Sequence, residues 1–398
     1  MISNNKYNYY FYTFLSLLVI VLLFTANTLS ISYKEALNVF VNTSVLSVFT
    51  NSSIYLFGQN DIALRLPFII FYILSVLLMY KLTENYFKYE KDRFISIIIF
   101  MILPGVLSAS LLVNSAIIVT FFTLLYLYIY KTTNKHSYFL LVLVLFIDNS
   151  FAILFLALFF YSLKEKDNRL IYVSLILFTI SMYIYGFDTE GKPRGFLVDT
   201  FAIYASIFSP LLFIYFFYSI YRAGIKDERT LTWYISATAL CISLLFSFRQ
   251  RVYIEDFAPY VVISLPFMLK SFFHSYRVRL KEFRRNHKIA VVLVLIMLLM
   301  NVTFTIINKP LYLLLPNPKK HFVYQYHFAK EIASELKKRN INYIYCNDEE
   351  LSLRLKYYGI KSGDRYFVTL TKYDYYEDNF TISYYGKELL TVYITKMR

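Results

Sequence analysis

Residues 55–82 read YLFGQNDIALRLPFIIFYILSVLLMYKL. Between Asp61 and Lys81 the stretch holds 19 residues with Arg65 as their single charge, close to the about 20 that a helix needs to cross a bilayer. Similar runs, each bounded by charges, recur along the chain. They fall near 9–28, 63–81, 94–111, 113–130, 137–147, 150–163, 170–187, 200–221, 231–248, 257–273 and 289–307, about eleven spans in all. The runs at 137–147 and 150–163 are short, and one hairpin dipping around Asp148 and Asn149 is an alternative reading of them. The first run has no strongly basic leader and more spans follow it, so it reads as a retained helix. Composition agrees: only 17% of residues are charged and 58% are hydrophobic, against about a quarter charged in soluble domains. The expected fold class is an all-α polytopic membrane protein.

A formal net charge of +15 would point to nucleic acid in a soluble protein. Here the basic residues sort onto alternate loops instead: Lys88, Lys91 and Arg93; Lys131 and Lys135; Lys164, Lys166 and Arg169; Arg222, Lys226 and Arg229; Arg277 to Lys288. Positive charge marks the cytoplasmic side. The expected topology therefore has the N-terminus inside and the segment after Asn308 outside, with no nucleic-acid partner. Cys241 and Cys346 lie in very different segments, which argues against a disulfide framework.

The tail has a different texture. KHFVYQYHFAKEIASELKKRN carries helical periodicity through Phe322, Tyr326, Ala329, Ile332 and Leu336. INYIYC and DRYFVTL read as strands, EELSLRLKYYG as a helix ending at Gly359, and TISYYGKELLTVYI as a hairpin turning at Gly386. The expected organisation is a transmembrane domain over 1–308, with an amphipathic external loop at 30–58, and a small external α/β domain over 309–398.

Several charges sit on the side that this topology disfavours. The cations are Lys34, then Lys192 and Arg194, then Arg249 and Arg251. Acids lie on the same external side: Glu35, Asp61, Asp148, Asp188, Glu190, Asp199, Glu255 and Asp256. Solvated loop ends with mutual ion pairs are one account of them, each worth about 0–1 kcal/mol. An anionic ligand is the other, since guanidinium groups grip phosphate with paired donors. Tyr33, Tyr253 and Tyr260 stand near the same side, placed to stack on a sugar or prenyl chain. The segment 36–49 alternates Ala36, Leu37, Phe40, Val41, Val45, Leu46, Val48 and Phe49 with Asn and Ser, a pattern suited to the membrane interface.

The 55–82 stretch resembles a hallmark of membrane glycosyltransferases with the GT-C fold, family 39, through Phe57–Gly58, Ala63 and Arg65–Leu66–Pro67. ISYKEALNVF is similar to the family's acid-bearing first external loop. GKPRGFLVDTFAIYASIFSP, FRQRVYIEDFAPYVVISLPFML and LSLRLKYYG resemble later family segments in matching order. The resemblance implies a bacterial inner-membrane enzyme that moves a sugar from a polyprenyl (undecaprenyl) phosphate donor to a lipid, glycan or protein acceptor at the external face. It implies catalytic carboxylates at Glu35 and Asp148, and donor-phosphate contacts at Lys34, Lys192, Arg194, Arg249 and Arg251. Acceptor or sugar contacts are implied at Tyr33, Asp188, Asp199, Tyr253 and Glu255. In some relatives a divalent metal ion takes part. Three departures stand out: Lys34 occupies the place of the family's Asp, Asn114 that of a second Asp, and the family's Lys–Pro-containing extension of the first external loop is missing, NTSVLSVFTNSS running directly into YLFG. A catalytically degenerate membrane scaffold is therefore one alternative. A lipid or polysaccharide transporter is another, disfavoured because charges gather at span ends rather than inside the spans.

Overall fold

The computed structural model describes residues 2–186, 195–226, 229–372 and 375–397. Among the described residues each apolar run expected to span is mainly helical. By length and composition five of the described helices can cross a membrane, or up to eight if each bent pair is one span. The chain is a polytopic helical membrane protein with a small α/β portion at its C-terminal end. Contacts divide it into two compact units: residues 1–20, 68–110 and 114–302 form the first, and 21–67, 111–113 and 303–398 the second. This partition does not follow a single cut at residue 308.

In the first unit, proline and polar breaks bend the helices. Glu90–Met101 and Pro104–Leu111 meet at 49°, while Leu197–Phe208 and Pro210–Lys226 meet at 105°. The expected continuous helix over 200–221 is thus two. Pro210 lacks the N–H that a continuing helix needs, and Ser209 before it takes φ 78°. The 137–163 segment is a hairpin of Tyr138–Leu145 and Phe151–Glu165, with Asp148 and Ser150 in its turn. Phenylalanines and leucines such as Phe151, Phe155 and Leu158 fill the interior.

In the second unit, Tyr33–Phe40 and Val45–Phe57 are helices bent by 82°. The latter is inside-out by aqueous standards. It buries Ser47, Thr50 and Ser53 and leaves Val48 at 62% and Tyr55 at 89% exposure. Its polar face is satisfied internally: Ser53 Oγ donates to Ala63 O at 2.6 Å, and Asn38 Nδ2 to Thr50 Oγ1 at 3.1 Å. An apolar face turned outward suits hydrocarbon rather than water.

The same unit holds a four-stranded sheet in which Tyr343–Tyr345 (β1), Lys361–Thr369 (β2), Lys387–Lys396 (β4) and Asp378–Tyr384 (β3) lie side by side in that order. β1 runs parallel to β2, and β4 pairs antiparallel with β2 and with β3. Tyr385 and Gly386 turn the β3–β4 hairpin with φ 55° and 80°, the doubly positive backbone that two-residue hairpins favour. Helix Glu349–Tyr357 is capped by Asp348, which accepts from Glu350 N and Leu351 N, and Gly359 leaves it at φ 85°. Ile332, Ala333 and Leu336 of helix Ala329–Lys338 pack in the core with Val368, Val392 and Ile394. The helix expected from Phe322 begins only at Ala329. Before it, the His321 and His327 rings turn inward to Asn308, and Phe328 takes φ 72°, which no continuing helix permits.

Candidate functional site

Each unit contains one polar cluster built from the signature segments. In the second unit, Ser32 and Glu35 form a capping box that starts the Tyr33–Phe40 helix. Glu35 N donates to Ser32 Oγ at 3.3 Å, and Ser32 N to Glu35 Oε2 at 2.9 Å. Two amides at a helix start are thereby satisfied. The same Oε2 lies 3.1 Å from Arg65 Nη2, and Oε1 accepts from Val113 N at 3.2 Å. Arg65 is fully buried; its guanidinium also donates to the carbonyls of Ala26, Leu29, Ser30 and Asp61 at 3.0–3.4 Å. Glu35 is 2% exposed with both oxygens engaged. Its geometry is that of a group fixing the helix, not of one open to a substrate.

The LSLRLKYYG tract fastens the same loop from the C-terminal side. Arg354 Nε donates to Ile31 O at 2.8 Å, and its Nη2 to His327 O at 2.6 Å. Tyr358 OH donates to Asp61 Oδ1 at 2.6 Å and accepts from Ile31 N at 2.9 Å. Tyr357 OH donates to Asn60 O at 2.8 Å, and Lys330 Nζ lies 2.7 Å from Asp61 Oδ2. What this scaffold presents outward is Lys34, exposed, and Tyr33, half-buried.

In the first unit, Ser150 joins two carboxyls. Its N–H donates to Asp148 Oδ1 at 2.9 Å, and its Oγ bonds both Asp148 Oδ1 and Asp256 Oδ1, the latter at 3.1 Å. Tyr260 OH donates to Ser150 O at 2.9 Å and so fixes the turn. A hydroxyl carries one proton and cannot donate to both acids at once. The arrangement is satisfied when Asp256 is protonated and donates to Ser150 Oγ, which then donates to an ionised Asp148. Burial first, and then the Asp148 carboxylate, push Asp256 up to about 7, in keeping with one shared proton. Glu255, Tyr253, Arg249 and Arg251 lie on the same loop and are exposed, as is Asp199.

Asp148 is thus brought to Asp256, which lies in the loop that sequence reading valued for Arg249, Arg251, Tyr253 and Glu255. Arg65 and Asp61 stood in the quoted motif, but nothing in the residue pattern paired them with Glu35 and Tyr358. Asp188, Lys192 and Arg194 lie outside the described residues. Among the described residues no three of His, Cys, Asp and Glu come together in a metal-holding group. The described side chains do not group as a divalent ion requires, and no step below runs through one.

A family model described as dolichyl-phosphate-mannose-protein mannosyltransferase matches residues 42–182. Among solved structures, the chain is similar to ArnT from Cupriavidus metallidurans in the apo state, at TM-score 0.56 and 11% identity over 98% of both chains. At that identity the likeness carries the fold. No curated protein sequence matches. Together the two findings uphold the resemblance to GT-C family 39 and support a membrane glycosyltransferase of the GT-C type.

Proposed function

We propose that this membrane protein of GT-C glycosyltransferase fold moves a sugar from a polyprenyl-phosphate donor to a lipid, glycan or protein acceptor at the periplasmic face of a bacterial inner membrane. The observation that carries the reading is the full-length likeness to ArnT, with the mannosyltransferase family model falling on the segment that holds Arg65 and Asp148. The acceptor hydroxyl attacks the anomeric carbon as the bond from that carbon to the phosphate oxygen breaks. The electron pair leaves with the polyprenyl phosphate, and the acceptor's proton goes to Asp148. Asp148 suits the role because it is only half-buried and is joined through Ser150 to Asp256. Arg249 and Arg251 hold the departing phosphate, whose growing charge is where fixed cations help most. Asp199, Tyr253 and Glu255 are contacts for sugar or acceptor.

Glu35 is assigned to positioning: with Arg65 it fixes the helix that offers Lys34 to an anionic ligand and Tyr33 to a sugar. A second reading, a scaffold that no longer transfers sugar, is favoured by the enclosure of Glu35 and by Lys34 in the family's acid position. Mass spectra of envelope glycolipids and glycans decide between them. The strains are native, deleted, and Asp148→Asn at native membrane abundance. The transferase reading expects a sugar-sized mass lost in both altered strains; unchanged spectra in all three support the scaffold.

A further inference from the structure

The helices Glu90–Met101, Leu265–Val278 and Arg284–Ile306 line a cavity of about 430 Å³. It shares no residue with the Asp148–Ser150–Asp256 cluster. Its lining joins three cations, Lys91, Arg277 and Lys288, to the apolar side chains of Phe273, Val291 and Val292. The one carboxylate there, Asp92, is 4% exposed and already held by Arg277, whose Nη2 lies 2.6 Å from Oδ1. Arg277 stacks 4.3 Å over Tyr89, and Asp92 engages only its Nη2 nitrogen. Lys91 and Lys288 are exposed and form no ion pair among the described residues. The Lys281–Ile306 span that walls the cavity is hydrophobic yet only 6% buried in its apolar window, with Val292 at 54% and Leu293 at 52% exposure. Positive charge beside a bare apolar helix complements one kind of molecule, a phosphate headgroup with acyl chains attached.

We propose that this cavity seats the headgroup of an anionic phospholipid, with its acyl chains along the exposed face of the Arg284–Ile306 helix. Lys91 and Lys288 contact the phosphate, and Arg277, oriented by Asp92 and Tyr89, supplies planar donors beside them.

The test uses the full chain in mixed micelles of phosphatidylglycerol and phosphatidylcholine, with native mass spectrometry counting the lipids retained. The native protein is expected to prefer phosphatidylglycerol. The double variant Lys91→Gln with Lys288→Gln should lower that preference by about tenfold, since each basic residue near an anionic headgroup contributes a few-fold. A control pair outside the cavity, Lys281→Gln with Arg285→Gln, should leave it unchanged. Equal loss in the control would reduce the effect to general surface charge and overturn the proposal. So would displacement of the lipid by inorganic phosphate at matched concentration, or no preference in the native protein.

Discussion

Arg65 and Glu35 meet at 3.1 Å, with side chains 0% and 2% exposed. The pair joins the start of one signature segment to the middle of another, and four backbone carbonyls share the same guanidinium. Removing one partner strands a buried charge, which costs about 3–5 kcal/mol. Glu35→Ala and Arg65→Met are each expected to destabilise the protein by that order. The double variant should cost less than the sum of the two. Thermal unfolding in detergent, arranged as a double-mutant cycle, gives the coupling. Strict additivity would show that the pair does not act as a unit.

The carboxyl pair around Ser150 makes stability depend on pH with a defined sign. Asp256 is raised in the folded state to about 7 from its ordinary value of 3.8. Between those values the unfolded chain has released the proton and the folded chain retains it, so stability falls as pH rises through the window. Below it the group contributes no slope, and above it the loss is complete. Asp256→Asn should abolish this slope, read as the difference in melting temperature between pH 5 and pH 7.5. A slope of equal size in the variant would remove Asp256 as its source.

His327 acts in the opposite direction. Burial first, then Lys309 and His321, hold it down to about 3 from its ordinary value of 6.5. Its ring bonds Tyr312 OH at 2.9 Å and Asn308 Oδ1 at 3.1 Å. Its contribution is present above the unfolded value and is lost as pH falls towards the folded one. His327→Gln should therefore flatten the acid limb of the stability curve below pH 6.5 while lowering stability at pH 8. A variant whose acid limb matches that of the native protein would contradict this assignment.

Tyr358→Phe deletes one hydroxyl that serves two partners, Asp61 and the Ile31 amide. Leaving buried polar groups unmet costs about 1–3 kcal/mol. The expected result is a drop of that order, much reduced when Asp61→Asn is already present. Chemical denaturation of the single and double variants checks it.

Much of this was legible in the residues, and the limits have physical causes. Apolar length located the helices, and period-two and turn signals located β3, β4 and Gly386. The Val45–Phe57 helix showed its apolar residues in the sequence but not which face was outward, because in a bilayer burying polar groups and exposing apolar ones is the stable arrangement. Phe322–Phe328 carried helical spacing, yet the local preference lost to burial of His321 and His327. Glu35 and Arg65 were each visible in a motif. Their pairing was not, since a contact across 30 positions is a tertiary fact. Asp148 was singled out for catalysis, whereas Asp256 was read only as one of the external acids until Ser150 linked the two.

The most direct test supplies the purified full-length chain with a membrane extract containing polyprenyl-phosphate-linked sugars and envelope acceptors, and measures free polyprenyl phosphate against time. The account predicts release matched mole for mole by sugar gained on an acceptor. The rate should fall by about a hundredfold or more in Asp148→Asn, as loss of a general base does. No release from any donor in the extract, with the protein folded and in lipid, would contradict the claim that this chain transfers sugar.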